Sequence, residues 1–258
     1  MASLGVISIA TGEKYREYWF ELIQSFKETC SDFGEINFYL LTDDPISARE
    51  FANGIGMQLT AFEIPSYGWP EATLFRYREI LLQKDSFEED ILMYLDADML
   101  VIKDFIPTLN SKFWEEGIAL VAHPGYWRPS GIELFRYFLK DPINLAIDCI
   151  HYMRTGALGT WETRKNYSAF VPRQMRNTYV CGGTWMGIRL QFLAMVKNCS
   201  DSVNKDLDIG LIAKWHDESH LNKWFSENHA TVLSPSYCFD PTYTNLRSLP
   251  EYIRAVRK

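Results

Sequence analysis

The chain has 258 residues, 47% hydrophobic, 23% charged and 15% aromatic, with a formal net charge of −7. That length and apolar fraction suffice for a buried core and exclude low-complexity disorder and a collagen-like repeat. The acidity speaks against a nucleic-acid surface, which needs a basic stripe, and no apolar run approaches the roughly 20 residues of a membrane-spanning helix. The start, Met1 to Val6, lacks a basic stretch and a long apolar run, so no signal peptide is expected and the reading is a soluble, cytoplasmic protein. The five cysteines are scattered without a CxxC pair, which fits a reducing compartment and argues against a zinc knuckle.

In chain order, GVISIAT (residues 5–11) reads as a strand and residues 15–30 as an amphipathic helix. INFYLLT (36–42) is a second strand, ended by Asp43-Asp44-Pro45, and residues 57–64 form a third. Residues 73–83 are helical. ILMYL (91–95) is continuously apolar, as in a strand buried on both faces of a parallel sheet. This β-α-β-α order predicts an α/β fold with a mostly parallel sheet, whose ligands sit beyond the carboxyl ends of its strands. Further on, residues 118–122 and 184–188 read as strands, and 190–197, 201–213 and 217–227 as helices. One mixed domain is expected, with a polar tail from Tyr243 to Lys258.

Asp96-Ala97-Asp98 follows the apolar strand directly. In an extended chain residues i and i+2 point the same way, so two carboxylates converge at the ligand end of the sheet. Such a pair repels unless a cation or a proton sits between its members. A hard divalent ion shared with a diphosphate resolves that repulsion. A solvated turn, where Asp is common, accounts for the same three residues.

WHDESHLN (215–222) gathers two histidines, two acids and a tryptophan at a helix start. Asp217 can cap that helix and Glu218 suits its first turn, which is a purely structural account. His216 and His220 are four apart, but the zinc-protease pattern needs Glu directly after the first His, and here that place is Asp217. A carboxylate such as Glu218 beside aromatic and imidazole groups also suits an oxocarbenium-like centre.

With their spacing, these two segments resemble the family 6 glycosyltransferases, the group of the ABO blood-group transferases, α1,3-galactosyltransferases and smaller bacterial or phage relatives. The most specific stretch is WHDESHLNKWFSENHATVLSP (215–235), supported by YLLTDDP (39–45), YLDADM (94–99), His123-Pro124-Gly125-Tyr126 and Cys181-Gly182-Gly183. The resemblance implies a single GT-A domain over residues 1–258. Its nucleotide-sugar half is 1–122, its acceptor half 123–242 with an inserted segment at about 130–162, and its tail 243–258. It implies transfer of GalNAc or Gal from a UDP-sugar to a galactoside-type glycan acceptor, with retention and an α1,3 linkage. By the same resemblance Asp96 and Asp98 bind Mn²⁺ (or Mg²⁺) and the diphosphate. Ala10, Thr11 and Tyr15 hold uracil and ribose, and Arg76 stands on the donor side. Glu218 is the catalytic glutamate, either attacking the anomeric carbon or stabilising its charge. Trp215, His123 and Tyr126 match the acceptor side, while His216 and Asp217 match donor-sugar contacts. Gly183, with Gly182, leans toward UDP-GalNAc; alternatively both glycines simply permit a close backbone approach. Arg257, and next Arg254, are the phosphate candidates of the tail.

Two departures stand out. Residues 131–161 are longer than in typical relatives and carry an amphipathic pattern (Leu134, Phe135, Phe138, Leu145, Ile147, Ile150), read as one or two helices near the acceptor side. Plain packing is their expected role, ahead of a lid, an oligomer contact or a membrane-surface element. Arg173-Gln174-Met175-Arg176 replaces the family's acidic run. The rival functions are a metal-dependent UDP-sugar hydrolase and a non-catalytic carbohydrate-binding protein.

Overall fold

The computed structural model describes residues 2–30, 35–109, 115–140 and 142–256. Its centre is a seven-stranded mixed sheet in which four strand pairs are parallel and two antiparallel. The strands are β1 (Leu4–Ala10), β2 (Ile36–Thr42), β3 (Leu59–Glu63), β4 (Ile91–Leu95), β6 (Ile118–Ala122), β7 (Val180–Ile188) and β8 (Thr231–Leu233), in the order β3-β2-β1-β4-β7-β6-β8. A second, two-stranded sheet pairs β5 (Met99–Val101) with β9 (Ile253–Ala255).

Alternate strand residues point to opposite faces, and the sheet is covered on both. On one face Val6, Phe38, Leu40, Met93 and Leu95 pack against Trp19, Leu22, Ile23 and Phe26 of α1 (Glu13–Thr29). On the other, Ile7, Leu41, Leu92, Tyr94 and Trp185 meet Tyr77 and Ile80 of α4 (Arg76–Leu82), Phe192 and Val196 of α7 (Arg189–Leu207) and Leu221 of α8 (His216–Glu227). This is the α/β architecture expected from the element order. Asp43 and Asp44 join elements here. The Asp43 carboxylate accepts the Gly12 N–H at 3.0 Å and ion-pairs with Arg16, while Asp44 caps α2 (Pro45–Gly54) through the Ser47 N–H.

The topology places four segments at one edge. β1 and β4 run parallel, so Thr11 and Asp96 emerge together. β7 runs antiparallel to β4, which sets Gly182-Gly183 beside Asp96, and β6 runs antiparallel to β7, which sets His123 beyond Val180.

Four expectations need correction. Residues 190–213 are not two helices: α7 runs unbroken to Leu207, because Cys199 and Ser200 are buried along it and Asn198 bonds back to the Ala194 carbonyl. Asp217 does not cap α8; its side chain turns inward to an arginine. Ala97 and Asp98 lie in a turn, so the extended-chain argument for convergent carboxylates does not apply. The inserted segment forms α5 (Gly131–Lys140) and α6 (Pro142–Thr155), whose apolar residues are mostly exposed rather than packed. Among the described residues no helix is long and apolar enough to cross a membrane.

Candidate active site

A cavity of about 250 Å³ opens at this edge, lined by Thr11, Tyr15, Tyr67, Arg76, Asp96 and Asp98 among others. Of the sequence-predicted donor residues, Thr11, Tyr15, Arg76, Asp96 and Asp98 therefore line one cavity. α3 (Glu71–Leu74) and the Tyr67–Trp69 loop close its opposite side, where Tyr67's carbonyl accepts the Thr11 hydroxyl at 3.2 Å. Ala10 is buried at the end of β1, just behind that lining.

Arg76 is the electrostatic centre of the site. Only 6% exposed, it ion-pairs with Asp96 at 3.2 Å and with Asp217 at 3.2 Å. It also donates to the Gly182 carbonyl at 2.8 Å and lies over the Tyr94 ring, whose hydroxyl donates to Asp96. Glu218 follows on the next helical position, and its carboxylate accepts the Gly182 N–H at 2.9 Å. Burial raises the Asp217 pKa to about 7 against the pull of Arg76. Burial likewise raises Glu218 to about 7, opposed by the Gly182 N–H, the Tyr179 hydroxyl and Arg76.

The glycines keep these groups close. A Cβ on Gly182 would lie 3.2 Å from an Asp217 carboxylate oxygen, and one on Gly183 would lie 2.8 Å from Met99 Cε and 2.9 Å from Asp96 Oδ2. Close approach alone therefore requires small residues here.

His123 and Tyr126 form a second cluster, with ring centroids 4.8 Å apart and both against Tyr179. Burial lowers His123 to about pKa 4, so the ring is neutral, and its Nδ1 accepts the Gly125 N–H. Trp215 is half exposed at the start of α8, and His216 packs edge-on against Trp69 at 4.9 Å, at the rim of the donor cavity. His220 is separate: it bonds Ser202 and faces Asp206 in the core. Arg254 pairs with Glu251 on β9, and Arg257 lies outside the described residues. The tail nevertheless reaches the site, because β9 pairs with β5 and the Val256 N–H donates to the Asp98 carbonyl at 2.8 Å.

Residue reading missed Tyr179 and Asn222. The Tyr179 hydroxyl is buried beside Glu218, and burial and the Glu218 charge together hold its proton on. Asn222, one turn beyond Glu218, clamps α8 to β7 by bonding both the N–H and the carbonyl of Val180. Its place in the WHDESHLN segment was the available signal.

The family model for Glycosyltransferase family 6 matches residues 138–258. The chain is 26% identical over 231 residues to histo-blood group ABO system transferase 1 of Rattus norvegicus, covering 86% of this chain and 57% of that protein. It is 26% identical over 247 residues to the O-antigen biosynthesis glycosyltransferase WbnI of Escherichia coli, covering 93% and 89%. To the globoside alpha-1,3-N-acetylgalactosaminyltransferase 1 of Homo sapiens it is 26% identical over 248 residues, covering 92% and 61%. The chain is similar to the family 6 glycosyltransferases. It spans less than two thirds of the length of the two rat ABO transferases it matches. Arg173-Gln174-Met175 form a short 3₁₀ turn between the inserted helices and β7, and Arg176 donates to the Val171 and Thr155 carbonyls.

Proposed function

We propose that the chain is a retaining glycosyltransferase that moves GalNAc or Gal from a UDP-sugar to a hydroxyl of a galactoside-type glycan, forming an α1,3 bond. The observation that carries this reading is the position of Glu218. Its carboxylate is fixed by the Gly182 N–H between the donor-side cavity and the His123–Tyr126–Tyr179 cluster.

In this reading the nucleotide occupies the cavity of Thr11, Tyr15 and Tyr67, with its diphosphate toward Asp96 and Asp98. Three carboxylates then stand around one arginine, and a diphosphate adds more negative charge. A further cation is therefore required. The two aspartates are hard oxygen donors. Among the described residues no group of three or more His, Cys, Asp or Glu is placed to hold a metal ion by itself. That donor set fits a Mg²⁺- or Mn²⁺-type ion held by one or two carboxylates, with diphosphate and water completing its shell. When bound, such an ion neutralises charge on the departing diphosphate.

The chain's own residues do the rest. The bond from the sugar's anomeric carbon to the phosphate oxygen breaks, and its electron pair leaves on UDP. Ionised Glu218 faces the carbon as positive charge builds there, or bonds to it. An acceptor hydroxyl held near His123, Tyr126 and Trp215 forms the new bond, displacing Glu218 where that has bonded to the carbon, and passes its proton to the departing diphosphate. Arg76 holds Asp96 and Asp217 in place beside the leaving group through its two ion pairs. His216 and Asp217 face the sugar, and the resemblance at Gly182-Gly183 leans toward UDP-GalNAc.

Calorimetric titration of UDP, UDP-Gal, UDP-GalNAc and UDP-Glc, each with Mn²⁺ and with EDTA, tests the donor site. Product analysis with a galactoside tests transfer. Metal-dependent UDP binding and a glycosylated galactoside are expected. Rapid sugar release that is unaffected by acceptor would favour the hydrolase. Glycan binding indifferent to Mn²⁺ and to Glu218→Gln would favour a binding protein.

A further inference from the structure

The inserted hairpin is amphipathic in the inverted sense. Along α6, the positions turned toward the protein are Asn144, Asp148, His151 and Thr155, spaced four, three and four apart. The opposite face carries Ile143, Ile147 and Ile150, which are 70%, 54% and 51% exposed. The inward face is polar and bonded. Asp148 takes a two-toothed ion pair from Arg128 at 2.6 and 2.7 Å, His151 bonds the Gly159 backbone, and the Thr155 carbonyl accepts from Arg176. This network fixes the helix with its apolar side outward. On α5, Ile132, Phe135 and Leu139 repeat at helical spacing and are likewise exposed.

Exposed apolar clusters of this kind mark interaction surfaces, and charge selects the occupant. Residues 128–176 hold eight Lys and Arg against four Asp and Glu, whereas the rest of the chain holds 18 against 29. Both described acids of the hairpin are already paired, Glu133 with Arg136 and Asp148 with Arg128. Lys140, Arg154, Lys165 and Arg173 are exposed and in no ion pair among the described residues. A short apolar helix pair framed by uncompensated cations, on an otherwise acidic molecule, matches an anionic bilayer surface. A two-fold contact through this face would set the same cationic segment of a second copy against it, which like charge disfavours.

We infer that the α5–α6 hairpin is a monotopic docking element that lies in the interface of an anionic lipid bilayer. α6 is 14 residues, so at about 1.5 Å per residue it lies along the surface rather than crossing it. The inner side of the hairpin, through Tyr152 and Gly156, borders a cavity shared with Tyr126 and Tyr179. If the transferase reading holds, a lipid-carried acceptor is thereby delivered to the Glu218 side; the docking itself does not depend on that reading.

Co-sedimentation with vesicles tests it, using phosphatidylcholine alone and phosphatidylcholine with about one third phosphatidylglycerol. The chain should pellet with the anionic vesicles at low salt and partition at least about tenfold less onto neutral ones. The variant Ile143→Ser/Ile147→Ser/Ile150→Ser should lose binding by about tenfold or more with an unchanged melting temperature, since all three side chains are exposed. Lys140→Glu/Arg154→Glu, on the two helices themselves, should give the same loss by a second route. The inference is overturned if the chain stays in the supernatant with both vesicle types, or if both variants bind as the parent does. A dimer in sedimentation equilibrium that the triple variant abolishes, without vesicle binding, assigns the face to a second copy and overturns it equally.

Discussion

Arg76→Met removes the one cation that Asp96, Asp217 and Glu218 share. The loss is of a buried partner: the guanidinium is 6% exposed, and its two nitrogens reach Asp96, Asp217 and the Gly182 carbonyl. Breaking a buried ion pair from one side costs about 3–5 kcal/mol, which for a chain of this size lowers the melting temperature by roughly 6–15 °C. The loss depends on pH. Asp217 and Glu218 have native pKa values raised to about 7 by burial, so between about pH 4 and 7 the native chain holds protons that the unfolded chain has released. Their contribution to stability therefore falls as pH rises through 7. Above pH 7 both are ionised and Arg76 favours both, Asp217 through a direct ion pair and Glu218 after the Gly182 N–H and the Tyr179 hydroxyl; near pH 5.5 both are largely neutral and depend on it little. The expected destabilisation is full at pH 8 and about half or less at pH 5.5. Arg76→Lys should recover part of it, because a single ammonium cannot span the three partners. Thermal and urea unfolding of parent and variants at both pH values measure this. An equal loss at both pH values, or a loss below about 1 kcal/mol at pH 8, refutes the shared-cation argument.

Two further substitutions separate chemistry from architecture. Glu218→Gln should lower the transfer rate by about two orders of magnitude or more while leaving UDP affinity within about twofold, and the parent rate should rise with pH toward a plateau above about 7, as the raised carboxyl ionises. Lost UDP binding with intact transfer would contradict the role given to Glu218. Gly183→Ala should cost about 1–3 kcal/mol in thermal unfolding, because the added methyl meets Met99 and the Asp96 carboxylate below 3.0 Å; unchanged stability and UDP affinity would show that the backbone there can shift.

β4 and β6 were readable because they are buried on both faces: each is continuously apolar, and no helical period fits five such residues between turn signals, whereas β8, three residues long with Val232 exposed, was not read as a strand. β5 and β9 were not readable, being three residues each and separated by some 150 positions of chain. The Asp96–Asp98 pair was found for a reason that does not hold locally, since the chain turns at Ala97 and the cation on Asp96 is Arg76. That pairing depends on a helix start 20 residues earlier, and its second partner, Asp217, lies 141 residues away. Tyr179 carries no motif; only the fold places it against Glu218 and His123. For α6 the period was legible and the facing was not. Periodicity identifies an apolar side but not its direction, and here the bond between Arg128 and Asp148 decides it.

The tail allows strand pairing and phosphate binding to be told apart. Ile253 is fully buried, Tyr252 stacks on Tyr237, and β9 lies across β5 with the Val256 N–H on the Asp98 carbonyl. The next residue in the chain is Arg257. Removing residues 252–258 would delete both the ladder and the charge, and so could not distinguish them. Arg257→Ala leaves the ladder intact. If Arg257 contacts the diphosphate, a charge-assisted bond of about 1.5–3 kcal/mol is lost. UDP affinity then falls by about 10- to 100-fold, while uridine, which lacks the phosphates, binds as before and the melting temperature does not move. Equal weakening for UDP and uridine would mean that the tail acts by shaping the turn at Asp98. Unchanged affinity for both would leave β9 as a strand that only fastens β5, and the extra cation at the diphosphate would then have to come from the ion held by Asp96 and Asp98.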